Sequence, residues 1–378
     1  MVLQGHTGVV TNLAFTPDSR TLLSSSNDGT LRVWDVESGQ CLRILGGYVA
    51  SLFDIDWSPD ERLLASGGAD TLVTLWDGAS ATSPRVLRGH RDIVQGVAWS
   101  PDGRLLASGG NDGIGLWDTA TGVRLQVIQD PDAANTIFQG VAWSPDGRFL
   151  TCGSYLRGVQ VWDMPTRTRR WVGQTQSTRI CRVSWSPHGT RLVGGGSDGY
   201  VYLWDARDGT QQRLAGHDGG VMSVAWSPDG TQLASGGSGR EGGELFVWVV
   251  QNGERVRAFA GHPGMVSAVT WAPSGELVVS GGSDGMLRRW QVESGQCMRV
   301  RKAHQGAVQA LKVGPDGSIL ASCGDDGAIV LWNLHSGEHL RTLWRDRPYE
   351  RLDITGIRGL TQAQKATLRT LGAVEHLS

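Results

Sequence analysis

Lysine is almost missing from this chain. Lys302, Lys312 and Lys365 are the only three, so 32 of the 35 basic residues are arginine. The bias hints at a GC-rich genome and a bacterial source. No Gly-Lys pair occurs, which excludes a phosphate-cradling loop of the P-loop kind. Cysteine is sparse too. Cys41, Cys152, Cys181, Cys297 and Cys323 are odd in number and far apart, which argues against a disulfide framework and fits a reducing, cytoplasmic setting. No apolar run is long enough to cross a bilayer, and no charged-then-apolar segment follows Met1. A formal net charge of −2 argues against general nucleic-acid or anionic-membrane binding. Before residue 360 no stretch sustains a helical period.

What is present is repetition. About every 42 residues the chain spells Gly-His, a hydrophobic segment ending in Trp-Ser-Pro-Asp-Gly, then Leu-Ala-Ser-Gly-Gly, Asp-Gly and Val-Trp-Asp. Trp34, Trp76, Trp117, Trp162, Trp204, Trp248, Trp290 and Trp332 recur at spacings of 41 to 45. A second aromatic series precedes them: Phe15, Trp57, Trp99, Trp143, Trp185, Trp226 and Trp271, with Val313 in the eighth slot. The 54 glycines fall mostly at fixed turn positions, so the composition is not low complexity. A period of this length signals a solenoid, a propeller or an array, because one unit cannot bury its own faces.

Each unit reads as four short strands. In the first they run Val9–Phe15, Thr21–Ser25, Leu31–Asp35 and Cys41–Leu45, separated by Thr-Pro-Asp-Ser, Asn-Asp-Gly and Glu-Ser-Gly-Gln turns. Four-stranded antiparallel blades set radially protect their own edges, which is the propeller solution. The eight units span approximately 1–45, 46–87, 88–128, 129–172, 173–214, 215–259, 260–301 and 302–343, and a tail covers 344–378.

The Gly-His to Trp-Asp repeat resembles the WD-repeat β-propellers over residues 1 to about 343. The resemblance implies an all-β fold, a closed propeller of eight four-stranded blades with a short C-terminal helical tail. It also implies a hydrogen-bonded network of His, Ser or Thr, Asp and Trp inside each blade. Matching residues are complete in repeat one (His6, Ser24, Asp28, Trp34), repeat seven (His262, Ser280, Asp284, Trp290) and repeat eight (His304, Ser322, Asp326, Trp332). Repeat three has His90, Ser108, Asp112 and Trp117, one residue short between Asp and Trp. Repeat two has Tyr48 for His. Repeat four lacks both His and Asp, repeat five has Gly194 for Ser and no Gly-His, and repeat six replaces the Asp turn with Ser238–Gly243. Closure is open at this stage. Met1–His6 begins like the end of an outer strand, so either repeat eight closes the ring unaided or the chain is the end of something longer.

The histidines sit in separate repeats and so read as satisfied structural groups rather than metal ligands. His335 and His339 are four apart, but in a hairpin, not on a helix face. Gly195–Gly199 and Gly281–Gly285 match the nucleophile-elbow spelling yet fall in strand-to-strand turns, where that motif has no function. No catalytic residues, metal or cofactor are expected. Between Tyr155 and Arg191 seven arginines face one acid, Asp163, which reads as a solvated outer face or as an anionic-partner patch on repeats four and five.

In the resembled family, partner contacts lie three and five residues after the His slot and just before the turn Asp. Carried over, these positions give an apolar partner-binding set for a protein or peptide: Phe53, Ile93, Gln95, Ile137, Tyr155, Arg179, Met222 and Met265. An apolar cluster rimmed by polar groups marks an interaction site. Beyond Trp344, Thr361 and Gln364 form a capping box, Gly372 ends a short helix at about Gln362–Leu371, and Arg-Pro-Tyr-Glu through Leu-Gly-Ala-Val-Glu375 resembles the ending of bacterial multidomain WD-repeat proteins carrying a NACHT or NB-ARC type signalling ATPase. That implies a ligand-sensing propeller with an NTPase module upstream or in trans. The alternative is a free-standing scaffold for a multiprotein complex.

Overall fold

The computed structural model describes residues 10–15, 21–26, 30–46, 51–77, 84–132, 136–155, 157–176 and 179–343. The chain divides into two compact units. One holds Met1–Ala50 and Trp344–Ser378, the other Ser51–Leu343.

In the first unit, Val10–Phe15, Thr21–Ser26, Thr30–Asp35 and Cys41–Gly46 pair antiparallel in chain order. These bounds lie within one residue of those read from the turn signals. The Trp34 indole donates to Ser24 Oγ at 2.7 Å. His6 and Asp28 lie outside the described residues, as does the expected helix at 362–371. Among the described residues there is no helix.

The second unit is a closed ring of seven four-stranded sheets, built from repeats two to eight. Their first strands are Leu52–Trp57, Val94–Trp99, Phe138–Trp143, Ile180–Trp185, Val221–Trp226, Val266–Trp271 and Val308–Val313. Each neighbours the first strand of the next repeat, and the last neighbours the first. Seven blades therefore replace the eight expected from the repeat count. The reason is visible at the joint. Leu52, Ile55, Trp57, Leu64 and Trp76 of repeat two share one core with Ala310, Ala321, Cys323, Ile329, Leu331 and Leu343 of repeat eight. Repeat eight supplies its own outer strand, His339–Leu343, so its blade is complete without the first repeat. Ser51 Oγ donates to the Asp325 carbonyl at 3.5 Å, and Lys312 Nζ lies 3.2 Å from Asp56 Oδ1.

Inner strands are sheet edges, and their free N–H groups need partners. Side chains provide several. Asp54 Oδ2 accepts from Val97 N at 3.0 Å, Asp56 Oδ2 from Trp99 N at 2.8 Å, and Ser223 Oγ from Val269 N at 3.0 Å. The first aromatic series works the same seam. The indoles of Trp99, Trp143, Trp226 and Trp271 donate to Asp56, Ala98, Ser184 and Ala225 carbonyls of the preceding blade at 3.1–3.2 Å. The Ser-Pro-Asp turn is locked locally: Ser100 Oγ donates to Asp102 Oδ1 at 2.6 Å and accepts from Leu105 N at 2.9 Å. Gly103 there has φ +70°, whereas repeat two places Glu61 in the slot at φ +60°.

Arginine clasps the blades on the outside. Arg85 Nη1 donates to the Thr119 and Ala120 carbonyls at 3.1 and 3.0 Å, and Arg257 donates to Val292 and Glu293 carbonyls. A planar, multi-donor guanidinium suits paired carbonyls better than an ammonium does.

A fragment of residues 51–343 should fold as a monomer, with β-type circular dichroism and one cooperative melt. Aggregation or a non-cooperative melt would show that the ring needs the first repeat.

Candidate interaction face

The blade networks decide which polar groups are free for other work. In repeat three, His90 Nδ1 lies 2.5 Å from Asp112 Oδ1 and Nε2 lies 2.6 Å from Ser108 Oγ. A carboxylate can only accept, so Nδ1 carries the proton and Nε2 accepts from the serine hydroxyl. The Trp117 indole donates to the same Oγ at 2.7 Å. Burial works against the Asp112 charge, but the His90 contacts outweigh it and hold the carboxyl below its usual range. Repeat eight repeats the pattern with His304, Asp326 (2.8 Å), Ser322 (2.8 Å) and Trp332 (3.0 Å).

Repeat seven is wired differently. Arg288 Nη1 sits 2.7 Å from both His262 Nδ1 and Asp284 Oδ2, while Asp284 Oδ1 stands 3.5 Å from the ring. Arginine can only donate, so Nδ1 accepts and the ring proton moves to Nε2, facing Ser280 Oγ at 2.8 Å. Burial, then the Arg288 charge, lowers the His262 pKa to about 4.

The irregular repeats are compensated by residues the motif does not mark. In repeat six, Glu244 on the third strand replaces the turn carboxylate, 3.1 Å from His217 Nδ1. In repeat five, Tyr202 occupies the space, stacks on Trp204, and donates its hydroxyl to Asp198 at 2.5 Å. Gly194 instead faces the benzene edge of the Trp204 ring, and the indole N–H, turned toward Gly173, has no partner among the described residues. In repeat four, buried Asp130 accepts from Thr136 (3.1 Å), Gln160 (2.7 Å) and Arg169 (2.9 Å). A Glu four residues before the Trp (Glu244) and a Tyr two residues before it (Tyr202) were the available sequence signals.

The arginine run is mostly spent internally. Arg169 pairs with Asp130 and Asp132, Arg170 reaches the Arg207 carbonyl, and Arg179 Nε donates to Gln139 Oε1 at 2.6 Å. Arg182 spans the central channel from repeat five. It pairs with Asp54 and donates to the Phe53 and Gln309 carbonyls at 2.7 and 3.1 Å. Beside it lies a cavity of about 450 Å³ lined by the inner strands of repeats four to eight. Cys152, Cys181 and Cys323 are buried, and burial pushes their thiols up; Cys41 and Cys297 are exposed strand thiols. Among the described residues no group of His, Cys, Asp and Glu is arranged to hold a metal.

Several of the expected contact positions are set side by side within their own blades. In five blades the residue before the turn donates its N–H to the carbonyl three residues after the His slot: Ala69 to Ser51, Tyr155 to Ile137, Ser197 to Arg179, Ser283 to Met265 and Asp325 to Ala307, at 3.0, 3.0, 3.0, 2.9 and 3.1 Å. Tyr155 is exposed at 44%. Phe53, Ile93, Gln95, Ile137, Arg179, Met222 and Met265 are half-buried, so their apolar surface is only partly open to solvent.

Two variants test the networks. Ser280→Ala leaves the Trp290 indole, now 2.8 Å from Ser280 Oγ, and the His262 ring proton unpaired, and should cost about 1–3 kcal/mol in denaturant unfolding. Arg288→Met hands Nδ1 back to Asp284, so the His262 pKa should rise above about 4 in an NMR titration. His217 is also held at about 4, by burial and then by Arg255. Both rings are below the unfolded value of 6.5, so the unfolded chain binds more protons between these limits. Stability is full above pH 6.5 and should fall as pH drops toward 4; a flat profile would contradict the assignment.

The WD domain, G-beta repeat family matches residues 1–35, 39–77, 81–118, 130–163, 166–205, 209–248, 253–291 and 295–333. Similar curated proteins include WD repeat-containing protein 18 of Danio rerio (51% identical over 41 residues, 11% of this chain and 10% of that protein). Zinc finger CCCH domain-containing protein 17 of Oryza sativa subsp. japonica is 49% identical over 43 residues, 11% of this chain and 10% of its own length. The probable E3 ubiquitin ligase complex SCF subunit sconB of Arthroderma otae is 37% identical over 51 residues, 14% of this chain and 8% of that subunit. The chain thus covers about a tenth of each relative, roughly one repeat's length, and all three come from eukaryotes. With eight matched repeats, a Ser–Trp hydrogen bond in six of them and a ring of radial four-stranded sheets, the chain belongs to the WD-repeat family.

Proposed function

We propose that the chain is a non-catalytic interaction platform that holds a protein or peptide partner on the rim carrying Phe53, Ile93, Gln95, Ile137, Tyr155, Arg179, Met222 and Met265. The observation that carries this reading is the rim itself. The same backbone bond sets the same two positions side by side in five blades, with Tyr155 exposed among half-buried apolar neighbours. Aromatic and Arg anchors with aliphatic support are typical of interface hot spots. Among the described residues, His90, His217 and His304 are each bound to a carboxylate within their own blade, and Arg288 to Asp284, which supports a structural role for these groups.

A scaffold in a multiprotein assembly is the form of this function we favour. The sconB relative is named as a subunit of a ligase complex, which supports the reading by analogy. The narrower role of a sensor for a signalling ATPase rests on the tail, which lies outside the described residues.

The test is a pull-down from source cells with the wild type beside an Ile93→Glu/Tyr155→Glu/Met265→Glu variant of unchanged melting temperature. A polypeptide retained by the wild type and at least about tenfold weaker on the variant, a loss of about 1.4 kcal/mol, is the expected result. Equal retention by both would move the binding surface off this rim.

A further inference from the structure

The residue before the second tryptophan is aliphatic in seven repeats: Val33, Leu75, Leu116, Val161, Leu203, Val247 and Leu331. Repeat seven alone has arginine there, Arg289. Arg289 pairs in register with Arg299 of the outer strand Cys297–Lys302, and Arg301 of the same strand pairs with Leu287. The three arginines line one crevice between repeats seven and eight, with Leu287, Leu320 and Trp332 as its apolar wall.

This cluster is not compensated. Arg289 Nη1 donates to the His335 carbonyl at 2.8 Å, but its Nε is buried without a partner among the described residues. Arg299 holds the position from which Arg85 and Arg257 clasp the next blade's turn. Here Arg289 has taken the matching turn carbonyl. None of the three arginines has an ion-pair partner among the described residues. Burial, then the neighbouring Arg299, lowers the Arg289 pKa, so the charge is held at a cost that an anion would relieve.

A second feature adjoins it. Among the described residues, Cys297–Lys302 is the outer edge of its sheet, paired on its inner side alone with Met286–Gln291. It exposes Met298 at 63% and Val300 at 40%. An open edge with apolar side chains is suited to strand addition.

We propose that the flank between repeats seven and eight is a second docking site, which takes an extended acidic segment of a partner protein. The segment adds a strand beyond Cys297–Lys302. Its acidic side chains, on alternate residues, meet Arg299, Arg301 and Arg289 on one face of the sheet. The site is separate from the rim described above and does not depend on it.

The probe is a phage library of random short peptides, panned on the full chain and then on Arg289→Leu/Arg299→Ser. Leucine is the residue other repeats use, so this variant should melt no lower than the wild type. We expect a peptide class with Asp or Glu alternating with aliphatic residues. By fluorescence anisotropy it should bind the double variant at least about tenfold more weakly, and bind the rim variant Ile93→Glu/Tyr155→Glu/Met265→Glu as the wild type does. Three results would overturn the proposal: no acidic class that separates wild type from double variant, equal loss on the rim variant, or displacement of the peptide by inorganic phosphate at equal concentration.

Discussion

A four-stranded blade has two apolar faces and can hide neither by itself, so every blade depends on the one beside it and the whole ring on its last joint. That joint is repeat eight against repeat two. Trp57 and Ile55 are buried there with Ala321, Cys323 and Leu331. Leu52 and Cys323, 271 positions apart in sequence, become neighbours, which costs loop-closure entropy that only a large buried area can offset. Once this core is formed, the inner strands encircle a channel. Arg182 can then reach Asp54 and the Gln309 carbonyl from the far side.

Inside the blades the common demand is that a buried polar group find a partner. The repeats meet it in different ways. Repeats three and eight use His, Ser, Asp and Trp. Repeat six moves the carboxylate to Glu244, repeat five fills the site with Tyr202, and repeat four builds around Asp130. Repeat seven inserts Arg288 between ring and carboxylate, which reverses the tautomer. The irregular blades are therefore alternative solutions to one packing problem.

Much of this was legible in the sequence. Turn residues fixed the strands of the first repeat to within a residue, and the Ser and Trp positions gave the network geometry of repeats three and eight. The number of blades was not legible. A repeat count says how many units exist, while closure depends on which two faces meet, and that is decided by side chains such as Leu52 and Cys323 at the joint. The compensating residues were hidden because Glu244 and Tyr202 lie on the third strand, away from the motif slots. The arginine run misled for a related reason. Charge counted along the chain carries no record of Asp54, Asp130 or the carbonyls that lie opposite Arg182, Arg169 and Arg170 in space. The partial burial of Phe53, Ile93, Ile137, Met222 and Met265 could not be read from position alone.

The closure is tested most directly by a double-mutant cycle on Asp56 and Lys312, 3.2 Å apart across the joint. Their proximity exists only if repeat eight meets repeat two, and the Asp56 charge raises the Lys312 pKa accordingly. Unfolding of Asp56→Asn, Lys312→Met and the double variant should give a coupling energy of about 0.5–3 kcal/mol. Additive effects, with coupling below about 0.3 kcal/mol, would mean that the two residues do not meet and that the ring closes elsewhere.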